Sequence, residues 1–364
     1  MHLCIDARML SCSGIGTVVK NLIPPLSTAP FTTQLIVHSN DLEKGLQISS
    51  HKVCNAPIYS IQEQFALPKQ IPSCDLFWSP HYNVPIFPIR AKKRIVTIHD
   101  AYHLAFQHLL GWKEKLYANM MFRQAACRSD AILTDSQFSK EEICRLLSIS
   151  PDLVRVIYPG VDFDRFSRKA SPEALKLVQK KYALPNSFFL FVGNVKPHKN
   201  LKLILDAYQQ IPIDIPLVIL GKTSGLRKLD PSMQRIECDP LLRERTYFTG
   251  EVLDEELPAF YQMATSLVFP SLYEGFGLPP LEAMAAGCPA IVSSRASLPE
   301  VCGNAAHFID ANDAIELGEA MGKIAGDAVY RKELQEKGKV RAQQFSWGKT
   351  ASQYRDVFRE IHFR

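Results

Sequence analysis

Short apolar runs alternating with amphipathic stretches along the whole chain constrain its fold more than any other feature. In the second half the runs are Phe188–Val192, Leu217–Leu220, Tyr247–Thr249, Leu267–Phe269 and Ala290–Ser293. They are too short for helices and read as strands. Leu201, Ile204, Leu205 and Tyr208 mark one face of an intervening helix, and further helices are expected at Glu255–Met263 and Leu281–Ala286. In the first half the candidate strands are His2–Ile5, Gln34–His38, Leu76–Ser79, Arg94–Ile98, Ala131–Thr134 and Val154–Tyr158. Helices are expected there at Gly16–Leu26 and Ser139–Leu147, with Ser139-Lys140-Glu141-Glu142 read as a capping box. Strands alternating with helices imply parallel sheets covered on both faces. Two such series, joined near Pro159-Gly160-Val161-Asp162, predict an α/β chain of two Rossmann-like, doubly wound parallel-sheet domains facing across a cleft, where ligands bind at strand carboxyl ends. At 364 residues the chain has room for two cores, since single cores stop growing near roughly 250–300 residues.

Composition narrows the class. No run of about 18 apolar residues is present, so no membrane span is expected, and the opening MHLCIDARML reads as a first strand rather than a signal peptide. Nine cysteines stand singly without a Cys-x-x-Cys pair, the pattern of free thiols in a reducing, cytoplasmic compartment. A net charge of +5 suits an anionic ligand or an anionic membrane face but falls short of a nucleic-acid footprint.

The most informative stretch runs from Pro270 to Met284, PSLYEGFGLPPLEAM, between a strand and a helix. Gly275 and Gly277 permit close backbone approach and torsions a Cβ would forbid. The paired prolines suit a helix start, and the positive end of that helix suits a diphosphate. Glu274 falls on the loop. Glu282, eight residues on, is expected in the first helical turn, where a carboxylate can accept two ribose hydroxyls. Read in isolation, the two would be a surface charge and a dipole-compensating acid; the glycine–proline setting favours a ligand site.

Here the sequence resembles the retaining glycosyltransferases of family 4, which have the GT-B fold. Beyond the Glu-x7-Glu region the resemblance rests on an ordered set: Gly14-Ile15-Gly16, Thr97-Ile98-His99-Asp100, Tyr158-Pro159-Gly160-Val161-Asp162, Phe191-Val192-Gly193, Lys199-Asn200, Phe248-Thr249-Gly250 and Phe345-Ser346-Trp347. It implies that Glu274 contacts the donor sugar and Glu282 the ribose. The amides of Gly275, Phe276, Gly277 and Leu278 would hold sugar and diphosphate, with Val252 near the nucleobase. Gly14 and Gly16 would approach the diphosphate from the other domain. His99 would sit by the transferred sugar and stabilise the transition state. The resemblance divides the chain into an acceptor-side domain at 1–160, a donor domain at 161–345 and a terminal helix at 346–364 crossing back to the first.

The family commonly pairs an arginine with a lysine to neutralise the diphosphate. In this chain the arginine position is Asn194, Lys199 is kept, and Lys196 or His198 is left to supply the missing charge. Gly14-Ile15-Gly16 lacks the third glycine of a dinucleotide fingerprint, because residue 19 is valine, and Asp41 is too distant for its acid, which disfavours a dehydrogenase. Asp162-Phe163-Asp164 falls at the interdomain joint and is read as linker rather than metal site, so no metal is expected. Ser136, at a strand end, is a further candidate for phosphate or acceptor contact. The segment from Leu104 to Phe122 reads either as a core helix with a solvated edge or as a peripheral membrane face.

Thr97-Ile98-His99-Asp100-Ala101 and the run from Val192 to Asn200 are similar to bacterial mannosyltransferases of O-antigen and polysaccharide assembly. The expectation is a metal-independent hexosyl transfer, foremost of mannose from GDP-mannose, to a glycan or lipid-linked acceptor. A nucleotide-sugar epimerase or hydrolase, or a noncatalytic nucleotide-sugar-binding protein, remains as an alternative.

Overall fold

The computed structural model describes residues 1–12, 14–43, 50–221 and 231–364. These residues divide into two compact units: Met1–Gly160 together with Trp347–Arg364, and Val161–Ser346.

The first unit is built on β1 (His2–Asp6), β2 (Thr32–Val37), β3 (His51–Val53), β4 (Cys74–Ser79), β5 (Ala91–Thr97), β6 (Ala131–Thr134) and β7 (Val154–Val156). These pair in parallel in the order β3-β2-β1-β4-β5-β6-β7. Successive residues on the central strands are buried to either side. Leu3 and Ile5 join one core cluster while Cys4 joins another, which requires helices on both faces. The helix Trp347–Phe363 supplies part of this covering. Tyr354 and Phe358 lie with ring centroids 5.2 and 5.7 Å from Trp78. The Trp78 indole N–H donates to the Thr97 hydroxyl, which lies 3.3 Å from the Tyr354 hydroxyl, so the polar tips inside this apolar contact are paired.

The second unit carries β8 (Phe189–Val192), β9 (Leu217–Leu220), β10 (Thr246–Gly250), β11 (Ser266–Phe269), β12 (Ala290–Ser293) and β13 (His307–Ile309). They pair in parallel in the order β10-β9-β8-β11-β12-β13. The Phe188–Val192 run splits by period two: Phe188, Leu190 and Val192 enter one cluster, and Phe189 and Phe191 the other. In each sheet the strand order reverses once, between β1 and β4 and between β8 and β11. These reversals are where doubly wound sheets open a crevice at their carboxyl ends.

Several expectations are corrected. The proposed capping box at Ser139 gives way to a cap three residues earlier: the helix is Gln137–Leu147, and the Ser136 hydroxyl accepts from the Ser139 N–H at 3.0 Å. Capping is thus the role the structure shows for Ser136. Val154–Tyr158 ends as a strand at Val156, ahead of Pro159. Glu255–Met263 is a 3-10 turn at Asp254–Glu256 followed by the helix Leu257–Met263, with Pro258 in its first turn. The helix expected at Leu281–Ala286 begins at Leu278, which places Glu282 in its second turn rather than its first. Strands β3 and β13, three residues each, lie at sheet edges and were not anticipated. All nine cysteines are free, five of them buried.

Candidate active site

The loops after β8 and β11 meet at the reversal point of the second sheet. After β8, Gly193 takes φ 135 and the chain enters the 3-10 turn Pro197–Lys199. Asn200 follows at φ 57, and its amide donates to the carbonyls of Pro270 and Ala311, tying this loop to the one after β11. The His198 carbonyl accepts from the Leu272 N–H at 2.7 Å, a second tie. Held in this way, the Lys199 ammonium lies 2.6 Å from a Glu274 carboxylate oxygen and 5.0 Å from the Phe269 ring centroid. Both charged side chains are mostly buried, at 17% and 12% exposure. The anion expected opposite Lys199 is therefore Glu274 in this structure. Asn194 sits beside the lysine loop, Lys196 is exposed and His198 half-buried.

Gly277 caps the helix Leu278–Ala286 at φ 114, a backbone conformation that calls for glycine, and a side chain there would also displace the tip of Leu298. Pro279 and Pro280 have no N–H, so of the four positions at this helix start whose donors lie outside the helical ladder only Gly277 and Leu278 carry one. The buried Ser297 hydroxyl bonds the carbonyls of Glu274 (3.0 Å) and Phe276 (2.7 Å), which fixes the loop. Phe276 is buried against Phe345 and anchors the loop from below. Glu282 projects from the second turn and accepts from the Tyr261 hydroxyl at 2.9 Å. Burial raises its pKa to about 7, against the lowering effects of the Tyr261 hydrogen bond and the Arg165 charge. Val252, just beyond β10, packs partly buried against the same core. Asp162 accepts from the Arg165 N–H and caps the short helix Phe163–Ser167.

The first unit holds a separate set. Gly14, at φ 73, precedes the helix Ile15–Leu26 with open space where a side chain would stand. A Cβ on Gly16 would collide with the Met9 and Leu10 carbonyls, so its smallness serves backbone packing. His99, beyond β5, is held at both ring nitrogens: Nδ1 lies 2.6 Å from Asp135 and Nε2 2.9 Å from the Pro80 carbonyl. Burial lowers its pKa, but Asp135 and the Pro80 carbonyl more than offset this, and the net shift is upward. Two acceptors, one at each ring nitrogen, favour the protonated form over the neutral one. Asp135 was missed by sequence reasoning. Its signal was the Asp-Ser pair closing β6, the neighbour of β5.

Two all-parallel, doubly wound sheets in one chain, with a glycine–proline loop at the reversal point of the second, define the GT-B class of glycosyltransferase architecture. The crystal structure of Anabaena Alr3699/HepE in complex with UDP and glucose superposes with a TM-score of 0.81, covering 99% of this chain and 100% of that chain at 17% identity. Residues 12–165 match Glycosyltransferase Family 4, and residues 177–341 match Glycosyl transferases group 1. The O-antigen chain mannosyltransferase B of Escherichia coli is 31% identical over 279 residues, 75% of this chain and 72% of that protein. The chain belongs to glycosyltransferase family 4. The serotype-specific mannosyltransferase WbdA of Escherichia coli is 33% identical over 228 residues, 62% of this chain, which thereby spans 28% of that longer relative.

Proposed function

We propose that this chain transfers mannose from GDP-mannose to a hydroxyl of a glycan or lipid-linked acceptor in surface-polysaccharide assembly, with retention at the anomeric carbon. The observation that carries the reading is the meeting of Lys199 and Glu274 beside the Gly275–Leu278 loop, at the carboxyl ends of β8 and β11. Lys199 and the loop N–H groups would neutralise the diphosphate as it leaves, Glu274 would hold the sugar and Glu282 the ribose. The acceptor oxygen bonds to the anomeric carbon as the carbon–phosphate-oxygen bond breaks, and the acceptor proton passes to the departing diphosphate. These groups supply the charge themselves, so the reaction is proposed to survive EDTA. The names of the two mannosyltransferase relatives support mannose as the sugar.

The test is donor turnover with and without an acceptor glycan, after ranking GDP, UDP and ADP sugars by thermal stabilisation. A ligand at 100 times its dissociation constant adds about 2.7 kcal/mol. Stabilisation by GDP-mannose and a mannosylated product are expected. Acceptor-independent consumption would establish a hydrolase or epimerase, and stabilisation without turnover a noncatalytic binder.

Peripheral attachment at the cytoplasmic membrane face belongs to the same proposal. Among the described residues no helix is long and apolar enough to cross a membrane. The helix Trp112–Arg128 buries Ala118, Met121, Phe122, Ala125 and Ala126, yet its opposite edge is also apolar. Trp112, Leu116 and Met120 are 72%, 66% and 42% exposed at four-residue spacing, with Lys113, Lys115 and Arg123 nearby. An exposed apolar stripe bordered by cations suits an anionic bilayer surface. Co-sedimentation with anionic vesicles at low salt is expected, and its loss in Trp112→Ser/Leu116→Ser. Absence of wild-type binding would remove this part of the proposal.

A further inference from the structure

Just after the chain enters the second unit it forms the five-residue helix Phe163–Ser167, to which the chemistry proposed above gives no task. This helix packs against both Leu257–Met263 and Leu278–Ala286, the helices that carry Tyr261 and Glu282. Phe166 is buried and meets the Tyr261 ring edge to face, with centroids 5.9 Å apart. The Gln262 amide donates to the carbonyls of Phe166 (3.2 Å) and Arg168 (2.8 Å), and its oxygen accepts from the Ala170 N–H at 3.0 Å. Both the helix and the stretch that follows it are therefore fixed in place.

Arg165 points this framework at the nucleotide side of the site. Its guanidinium lies over the Phe166 ring, 5.0 Å from the centroid, and donates to the carbonyl of Asp254. That carbonyl opens the 3-10 turn Asp254–Glu256, two residues beyond Val252. The arginine charge also reaches Glu282 and Tyr261 and favours ionisation of both. Glu282 is surrounded by Arg165 from this helix, Asp254 from the turn and the Tyr261 hydroxyl from the helix Leu257–Met263. The helix Ala328–Ala342 packs on the same support, but its Lys339 lies at the far end, beside Gly287. Among the described residues Arg165 is thus the cation that acts on this buried carboxylate.

We propose that Arg165 is a positioning residue of the donor site, holding the turn beyond Val252 through the Asp254 carbonyl and keeping Glu282 charged for the ribose. A carboxyl buried without a cation nearby takes up a proton and loses the second acceptor that a ribose diol needs. Arginine suits the task because it does not give up its own proton, and its planar fork can bond a carbonyl while its charge acts elsewhere. The assignment rests on the transferase reading for its ligand.

Arg165→Gln and Arg165→Leu separate the two tasks, since glutamine can still donate to the Asp254 carbonyl without a charge and leucine can do neither. In the unliganded protein the carboxyl carbon of Glu282 is followed by 13C NMR, assigned by its loss in Glu282→Gln. Its inflection should rise by about one pH unit in both variants. The ionised form binds ribose, so a higher inflection costs affinity around neutrality and little above it. In Arg165→Gln, GDP-mannose should bind roughly fivefold more weakly at pH 7 and less than about twofold more weakly at pH 8.5. Arg165→Leu should lose about fivefold more at both pH values, because the turn is also released. A lowered melting temperature with the inflection unmoved would make Arg165 merely structural and overturn the charge role, leaving the transferase reading intact. Equal binding by the two variants at pH 8.5 would overturn the hold on the turn. A moved inflection in a protein whose wild type binds no nucleotide sugar would keep Arg165 with Glu282 and overturn the transferase reading.

Discussion

Lys199→Ala is expected to lower kcat/KM for the donor by about 10²–10³-fold, the usual loss when a preorganised group facing developing charge is removed. Three features make this lysine decisive. Asn194 stands where the family commonly places an arginine, and Lys196 is exposed at the mouth of its turn. Lys199 is mostly buried, lies over the Phe269 ring and is held by a turn pinned to Pro270, Leu272 and Ala311. A cation so placed costs little reorganisation when the leaving group acquires charge.

The pairing with Glu274 suggests a rival explanation, that Lys199 only positions the carboxylate. The two separate by readout. If Lys199 meets the diphosphate, Lys199→Ala weakens GDP binding, Glu274→Gln leaves it unchanged or tighter because the ammonium is released, and Lys199→Arg recovers part of the affinity. If it only positions Glu274, both single variants lose transfer equally, the double variant loses no more, and GDP affinity is unmoved throughout. Titration calorimetry with GDP at pH 8 decides between them, and unmoved affinity in Lys199→Ala sinks the direct role.

What the sequence revealed depended on whether one segment carried the information by itself. Leu217–Leu220 and Ala290–Ser293 were legible to the residue, because a strand buried on both faces is a continuous apolar run that ends where burial ends. Gly277 announced its own backbone torsion. Pairings across the fold depend on which elements become neighbours, so a local cue alone could not name the partner: Asp135 closes β6 but reaches His99 only because β5 and β6 are adjacent, and Tyr261 reaches Glu282 only because two helices pack together. The helix Trp112–Arg128 shows a different limit. Its sequence holds two apolar stripes, one through Ala118, Met121 and Phe122 and one through Trp112, Leu116 and Met120, and periodicity identifies stripes without saying which faces the core. Glu63 looks like an ordinary first-turn acid, which it is, yet its carboxylate also joins three loops through Arg8, Tyr59 and Asn83.

Glu282→Gln is expected to weaken GDP-mannose binding by about 10²-fold at pH 8 and to flatten its pH dependence. A carboxylate can accept both ribose hydroxyls, whereas a neutral carboxamide accepts only one and obliges the other to turn round and accept from its NH2; charge-assisted bonds of the lost kind contribute roughly 1.5–3 kcal/mol each. Burial lifts the carboxyl to about 7, opposed by the Tyr261 hydroxyl and by Arg165 from the Phe163–Ser167 helix, with Asp254 adding to the rise. The sign follows directly. Only the ionised form binds ribose, so affinity is full above the inflection and falls as pH drops through it, by roughly tenfold between pH 8 and pH 6. Tyr261→Phe removes a hydrogen bond that favours the carboxylate, so its inflection should move to higher pH. GDP-mannose is the ligand of choice, because its diphosphate diester does not titrate in this range as the terminal phosphate of GDP does. A wild-type profile flat from pH 6 to 8, or a Glu282→Gln protein binding as tightly as wild type at pH 8, would remove Glu282 from the ribose site.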